Sequence, residues 1–405
     1  MKSVILLVGL VLSISSYAQS FKSFTDTDGL PSNNVLCASS DMEGTMWFGT
    51  QSGIAIYDGS TWEVMNTTTH PGLVNNKVSS ILVTKDGNVW AAGDNGASYY
   101  NGSAWTTYKA ADGLGSSRVT NISEMENGDI WLSDFNGATH YDGTTFTAYK
   151  AADGLPFGGV EDVLEADNGD IILATGLGGV AVYDGTSFKI VTKADGLVSD
   201  NTTALLKDGN GNIWVGTSDG ISVFDDTMKW IANHTRMYLM PPPDTLNPVE
   251  DLAMDAQGNI WSGIYVDYLV TVGGVAKFDG TAWTDYDGSE GIVGPTIRSV
   301  TVDEKDNIWV TTSSGVTRIA FGSASIDRVA QSSFVAYPNP AENKLHIKLG
   351  AISEPVSVQL MNQVGAVVLQ REGVVSSEIT LDISELQAGV YTLFLEGVSR
   401  KVVVL

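Results

Sequence analysis

The sequence predicts an all-β chain: a seven-bladed β-propeller closed by an N-terminal strand, followed by a small antiparallel β-sandwich. Three observations carry this. A Trp returns at a near-constant spacing, a "YDG"-like turn follows in the first six units (degenerate in the fifth), and the two ends of the repeat region each hold part of one unit.

The Trp marks are Trp47, Trp90, Trp131, Trp214, Trp261 and Trp309, with Ile172 standing in the fourth copy. Successive steps are 43, 41, 41, 42, 47 and 48 residues. A repeat of about this length with hairpin chemistry between short apolar runs is the signature of radial β repetition. In the second unit the four strands are read as "KVSSILVTK", "VWAAGD", "GASYYN" and "AWTTYKA". The "DGN" and "YDGS" turns between them use Asp, Asn and Gly because these residues tolerate the positive φ of tight hairpins. A third mark, "DGL", brings Gly29, Gly113, Gly154 and Gly196. Each Trp is read as structural, since burying its ~150–250 Å² against the next unit is worth about 4–6 kcal/mol as an upper bound.

The ends complete the count. The seventh unit has "DNIWVTTSSGVTRIA" but no outer strand, whereas the N-terminal "SFKSFTDTDGL" is an outer strand without a unit. Its Phe21 and Phe24 repeat the spacing of Trp105 and Tyr108. A strand shared in this way removes an exposed sheet edge.

These residues resemble a known family. The pattern G-N-x-W-x-G-T-x-x-G-[IV]-x-x-[YF]-D-G is similar to the two-component-regulator propeller repeat, over about residues 20–322. The resemblance implies a sensing or binding propeller outside the membrane, as in the extracellular parts of hybrid histidine kinases.

Composition narrows the partners. With 22 basic and 47 acidic residues the net charge is −25, which repels phosphate backbones and argues against nucleic acid. Lys2, the apolar run "VILLVGLVL" and the small residues before Gln19 read as a signal peptide over residues 1–18. That run is too short for a transmembrane segment, and none is expected elsewhere. Cys37 is the single cysteine, so no internal disulfide forms. The propeller is read as residues 19–322, a linker as 323–332, and a second domain as 333–405.

In that second domain, alternation and regular turns predict a small sandwich. It resembles the type A C-terminal sorting domain of the Bacteroidetes type IX secretion system. The residues carrying the likeness are Pro338, Asn339 and Pro340, the "L-x-x-G-x-Y" of Leu386, Gly389 and Tyr391, and Lys401 in the last strand. The resemblance implies that the type IX machinery is a partner, and that the protein is secreted or anchored to the outer-membrane surface.

Candidate binding residues lie where the repeat departs from its spacing. The Trp-to-"YDG" aromatic distance is usually 10 residues, but 17 in the sixth unit, and the linker before that unit is also longer. Both insertions fall at the funnel mouth of a propeller and bring Arg236, Tyr238, Tyr265, Asp267 and Tyr268. The innermost strands place polar residues at their second and third positions, toward the channel. Glu161, Asp162, Glu250 and Asp251 gather there with Arg298, and such crowding points to a cation, a polar ligand or raised pKa values. The plain alternative is a solvated channel lined by whichever polar residues fit.

No catalytic residue is assigned. The four histidines, His70, His140, His234 and His346, form no metal-ligand spacing, and no phosphate loop opens a helix. No cofactor is expected; the channel leaves room for a cation such as calcium, but "DGNGN" at Asp208 lacks the liganding Glu and reads as a hairpin turn. The expected role is a binding or sensing module for an extracellular glycan, peptide or protein. The alternatives are a purely structural surface protein or adhesin, and an enzyme resembling the seven-bladed streptogramin lyases. The lyase reading needs a His paired with channel carboxylates.

Overall fold

A computed structural model describes residues 18–237, 247–267, 271–322, 335–348, 356–362, 367–374, 378–384, 386–395 and 398–404. Residues 1–17 of the expected signal peptide, the expected linker 323–332, Tyr238 and Tyr268 lie outside them, as does the side chain of Asp267. The chain divides into two compact units, one of which is Tyr17–Gly322.

The described residues of that unit form seven four-stranded antiparallel sheets, consistent with a β-propeller. In chain order each sheet runs from an inner to an outer strand, as in the third: Val119–Glu124, Ile130–Asp134, Gly137–Tyr141 and Phe146–Lys150. The fourth sheet begins with Val160–Glu165, the fifth with Thr202–Lys207 and the sixth with Val249–Met254. The exception is the last sheet, whose Ile297–Val302, Ile308–Thr312 and Gly315–Gly322 are joined by the N-terminal strand Ala18–Phe24. Its register sets Phe21 opposite Ile319 and Phe24 opposite Val316. Thr301 Oγ1 donates to the Ala38 carbonyl of the first sheet (3.1 Å), so the last and first inner strands are in contact.

The repeated marks have local causes. In "YDG[ST]" the Asp side chain caps its own turn: Asp58 Oδ1 accepts from Ser60 N and Thr61 N, both at 2.7 Å. Asp142, Asp184 and Asp279 repeat the arrangement, and these hydrogen bonds hold their carboxyls below the usual range. In "DGL" the Gly turns the chain across the next outer strand; Gly29 has φ +132° and its missing Cβ would lie 2.6 Å from the Trp62 ring. Asp208 is a turn cap, accepting from Asn210 N, Asn212 N and Trp214 Nε1. Asp255 and Asp303 hold Trp261 and Trp309 in the same way, at 3.0 and 2.8 Å.

Each Trp packs its sheet against the next. Trp90, Trp131, Trp214, Trp261 and Trp309 are buried, whereas Trp47 is only partly so. Trp309 stacks on Phe24 of the N-terminal strand (centroids 5.8 Å apart, 20° between planes) and meets Tyr57 of the first sheet. The expected sixth-unit insertion is a longer hairpin, since its second and third strands, Ile260–Asp267 and Thr271–Phe278, have eight residues where the third sheet has five.

The C-terminal unit holds a three-stranded sheet of Val335–Tyr337, Lys344–Lys348 and Glu378–Asp382. A four-stranded sheet comprises Val356–Met361, Val367–Val374, Gly389–Leu395 and Val398–Val404. Alternate residues from both, among them Leu345, Ile347, Leu381, Leu393 and Val402, share one buried cluster.

Candidate functional site

The inner strands bring Asp162, Glu250 and Asp251 into one electrostatic neighbourhood, whereas Glu161 is met by Arg118. A register shift after the first residue of the fourth inner strand turns Asp162 inward, and the same shift acts on Asp251 in the sixth. Each keeps a partly accessible edge while protein surrounds it, as a residue beside a narrow channel does. Burial pushes the Asp162 carboxyl up to about 6. Burial, with repulsion from Asp162 and then Glu250, pushes Asp251 up to about 7.

Both aspartates also tie neighbouring sheets together. Leu205 N of the fifth sheet donates to Asp162 Oδ2 (2.8 Å), and Val300 N of the seventh donates to Asp251 Oδ2 (2.9 Å). Their other oxygens accept from Val163 N and Leu252 N, and Asp162 also accepts from Asn121 Nδ2. Ser80 does the same work between the second and third sheets, accepting from Ile122 N at 3.1 Å. Ser80, Asp162 and Asp251 are therefore inter-sheet acceptors first. Cys37 occupies this position in the first sheet, and burial raises its thiol to about 12, far from the reactive thiolate.

The second-position glutamates differ. Burial raises both Glu161 and Glu250, and the nearby guanidiniums of Arg118 and Arg298 partly offset it. Neither carboxylate accepts a hydrogen bond from a described residue. Arg118, absent from the sequence-based set, also pairs with Asp94 (3.2 Å) and lies over the Phe135 ring at 4.3 Å. Phe135 follows the second strand of the third sheet, Leu177 occupies the same turn of the fourth, and Phe157 lies in the linker between them. Their exposures are 48%, 66% and 86%, and their backbones approach closely: a Cβ on Gly158 would lie 3.0 Å from Leu177 Cβ, and one on Gly159 2.8 Å from Phe135 Cα. Glu161 Oε1 is 3.0 Å from the Cβ position of Gly176, beside Leu177.

The insertion residues are only partly placed. Arg236 is exposed, whereas Tyr265 pairs with Gly273 and packs its ring against the buried cluster between the sixth and seventh sheets. His234 sits on the outermost strand of the fifth sheet, stacked on Trp214 (5.3 Å, 8°) and accepting from Trp283 Nε1. It does not meet the inner-strand carboxylates that the lyase reading requires. Among the described residues no group of three or more His, Cys, Asp or Glu could hold a metal ion, and no helix is long and apolar enough to cross a membrane.

In the C-terminal unit the Pro338-Asn339-Pro340 segment is fastened to the last strand. Asn339 Nδ2 donates to the Lys401 carbonyl (2.9 Å) and Oδ1 accepts from Val403 N (2.8 Å). Tyr391 OH donates to the Gln387 carbonyl (2.8 Å), and Gly389 and Tyr391 pair with Val404 and Val402.

Comparison with known proteins agrees with both units. Residues 335–404 match the secretion system C-terminal sorting domain, and residues 29–52, 72–95 and 196–219 match the two component regulator propeller. No curated protein is a match. Among solved structures, the extracellular domain of the putative hybrid two component system BT3049 from B. thetaiotaomicron is similar at 17% identity and TM-score 0.62, covering 94% of this chain and 54% of that one. PorZ, an essential surface component of the type-IX secretion system of Porphyromonas gingivalis, is similar at 16% identity and TM-score 0.57, covering 93% and 60%. The virginiamycin B lyase of Staphylococcus aureus is similar at 14% and 0.56, covering 75% of this chain and 99% of that one. The chain thus spans little more than half the length of the first two, and at these identities the likeness is one of fold. The sorting-domain match implies engagement with the type IX machinery and supports a secreted or cell-surface location. This chain carries two-component-regulator propeller repeats together with a type IX C-terminal sorting domain at residues 335–404.

Proposed function

We propose that this chain is an extracellular binding module, built as a seven-bladed propeller closed by its N-terminal strand, which engages a polypeptide partner at the channel mouth. The observation that carries the reading is the cluster of exposed apolar side chains at the third and fourth sheets. Phe157, Leu177 and Phe135 stand in water beside Arg118 and Glu161. Single exposed apolar residues are ordinary, but three on adjoining turns, with charged groups at their edge, mark an interaction surface. The sixth-sheet hairpin strands pair as far as Asp267 and Thr271, at the end where Phe135 and Leu177 lie in their own sheets, and the exposed Arg236 lies in the linker before that sheet, so both extend the same face in this reading. Asp162 and Asp251 shape the channel, while Glu161, Glu250 and Arg298 offer charge to the ligand. Residues 1–18 are the leader, 19–322 the binding domain, 323–332 the linker and 333–405 the export domain, removed or used for anchoring outside the cell.

A photo-crosslinking residue at position 157, compared with one at Ser103 in a turn at the other end of the second sheet, tests this on intact cells. The expected result is a discrete adduct from position 157 and none from 103. Equal labelling from both positions, or none, would leave the chain a surface scaffold without a partner on this face.

A further inference from the structure

At the opposite end of the third and fourth sheets lies a cavity of about 350 Å³. Its aromatic wall is Trp131, His140, Tyr149 and Tyr183, and its carboxylates are Asp129, Glu165 and Asp184, the last engaged in capping its own turn. Neither Lys nor Arg contributes to its lining. Tyr149 lies parallel to Trp131 (5.4 Å, 16°) and Tyr183 meets both rings at steeper angles. Asp129 Oδ2 is held by His140 Nε2 (2.7 Å) and Asn127 Nδ2 (3.0 Å), and Glu165 Oε2 accepts from Glu126 N (2.7 Å). Asp129 Oδ1 and Glu165 Oε1 accept no hydrogen bond from a described residue.

Two other sheets place a cation over the equivalent Trp, whereas Trp47, Trp90 and Trp214 pair with Ile56, Tyr99 and Val223. The residue paired with Trp261 across the hairpin is Lys277, whose Nζ lies 5.5 Å from the Trp261 ring and 4.8 Å from Phe321. The residue paired with Trp309 is Arg318, with its guanidinium 5.9 Å from that ring. In the third sheet the paired residue is His140, a short ring that stacks on Trp131 at 5.1 Å and is held by Asp129. The chain thus supplies its own long cationic side chain at two junctions and leaves a cavity at this one.

We propose that this cavity is a second binding site, separate from the channel mouth, for a cationic organic group: an ammonium or guanidinium brought by a ligand. Its charge would be met by the aromatic faces and the two open carboxylate oxygens, the combination that favours cations over neutral groups.

The test uses the mature full-length chain and two capped tripeptides, glycyl-arginyl-glycine and its citrulline analogue, which has the same shape without the charge. Binding is followed by Trp fluorescence and calorimetry. The arginine peptide is expected to bind and the citrulline peptide to bind at least about fivefold more weakly. Glu165→Gln is expected to weaken the arginine peptide by a similar factor. His140→Lys recreates the Lys277 arrangement, so it should keep the wild-type melting temperature while abolishing binding. Equal binding of both peptides, displacement by a neutral methyl glycoside, no binding at millimolar peptide, or full binding by a folded His140→Lys variant would each overturn the proposal.

Discussion

Asp162 and Asp251 should give this protein an inverted stability profile between mildly acidic and neutral pH. Both carboxyls bind a proton more tightly in the folded chain than in the unfolded one, where an Asp titrates near 3.8. Between pH ~4 and ~7 the folded state therefore holds more protons, and stability falls as pH rises through that window. Asp251 moves from 3.8 to about 7, and at 1.36 kcal/mol per pKa unit this corresponds to roughly 4 kcal/mol. Asp162 adds a smaller share, and because the two repel each other their shifts are not additive. Exposed turn aspartates such as Asp58 and Asp142 act oppositely, but their depressed values confine them to pH below about 4, where stability is lost on acidification. Urea unfolding of the mature chain at half-unit steps from pH 4.5 to 8 measures the slope. The expected result is a loss of about 3–4 kcal/mol across the range. Asp251→Asn should be less stable than wild type at pH 4.5, because it leaves Val300 N or Leu252 N without an acceptor, yet lose most of the slope. A flat or rising profile in the wild type, or an undiminished slope in the variant, would refute the reasoning.

Other consequences follow from packing and export. Trp261→Ala should cost about 3–5 kcal/mol, and Trp47→Ala clearly less, because only the first is fully buried and held by Asp255; thermal melts compare them. Phe24→Ala should also cost about 3–5 kcal/mol, since its ring sits between Trp309, Tyr57 and Trp62 where the N-terminal strand joins the last sheet to the first. A melting temperature within a degree of wild type would show that this strand contributes little to holding the sheets together. Deleting residues 335–404 should trap the chain inside the outer membrane, as fractionation with immunoblotting would show.

The repeat was legible because each sheet must bury one face against its neighbour, which forces Trp, turn Asp and Gly to recur at a fixed period. The inner-strand alignment singled out Glu161, Asp162, Glu250, Asp251 and Arg298 as polar second- and third-position residues. Strict alternation would send such neighbours to opposite faces, and the register shift after the first residue of the fourth and sixth inner strands breaks it. The alignment could not show that Asp162 and Asp251 serve as acceptors for Leu205 and Val300, because those amides lie one repeat further along the chain. Arg118, Phe135, Phe157 and Leu177 were missed for a different reason. They occupy turns and linkers of ordinary length, where the spacing rule registers no departure and only exposure singles them out. The His140–Asp129 pair was equally silent, since its residues are eleven apart in sequence and meet only across a hairpin.

The proposed mouth surface is tested most directly by comparing the mature chain with Phe157→Ser/Leu177→Ser for affinity toward the crosslinked partner, at matched melting temperature. The predicted result is a loss of at least about 30-fold, the scale of truncating a buried interface anchor. Unchanged affinity in the folded double variant would contradict the assignment of this face.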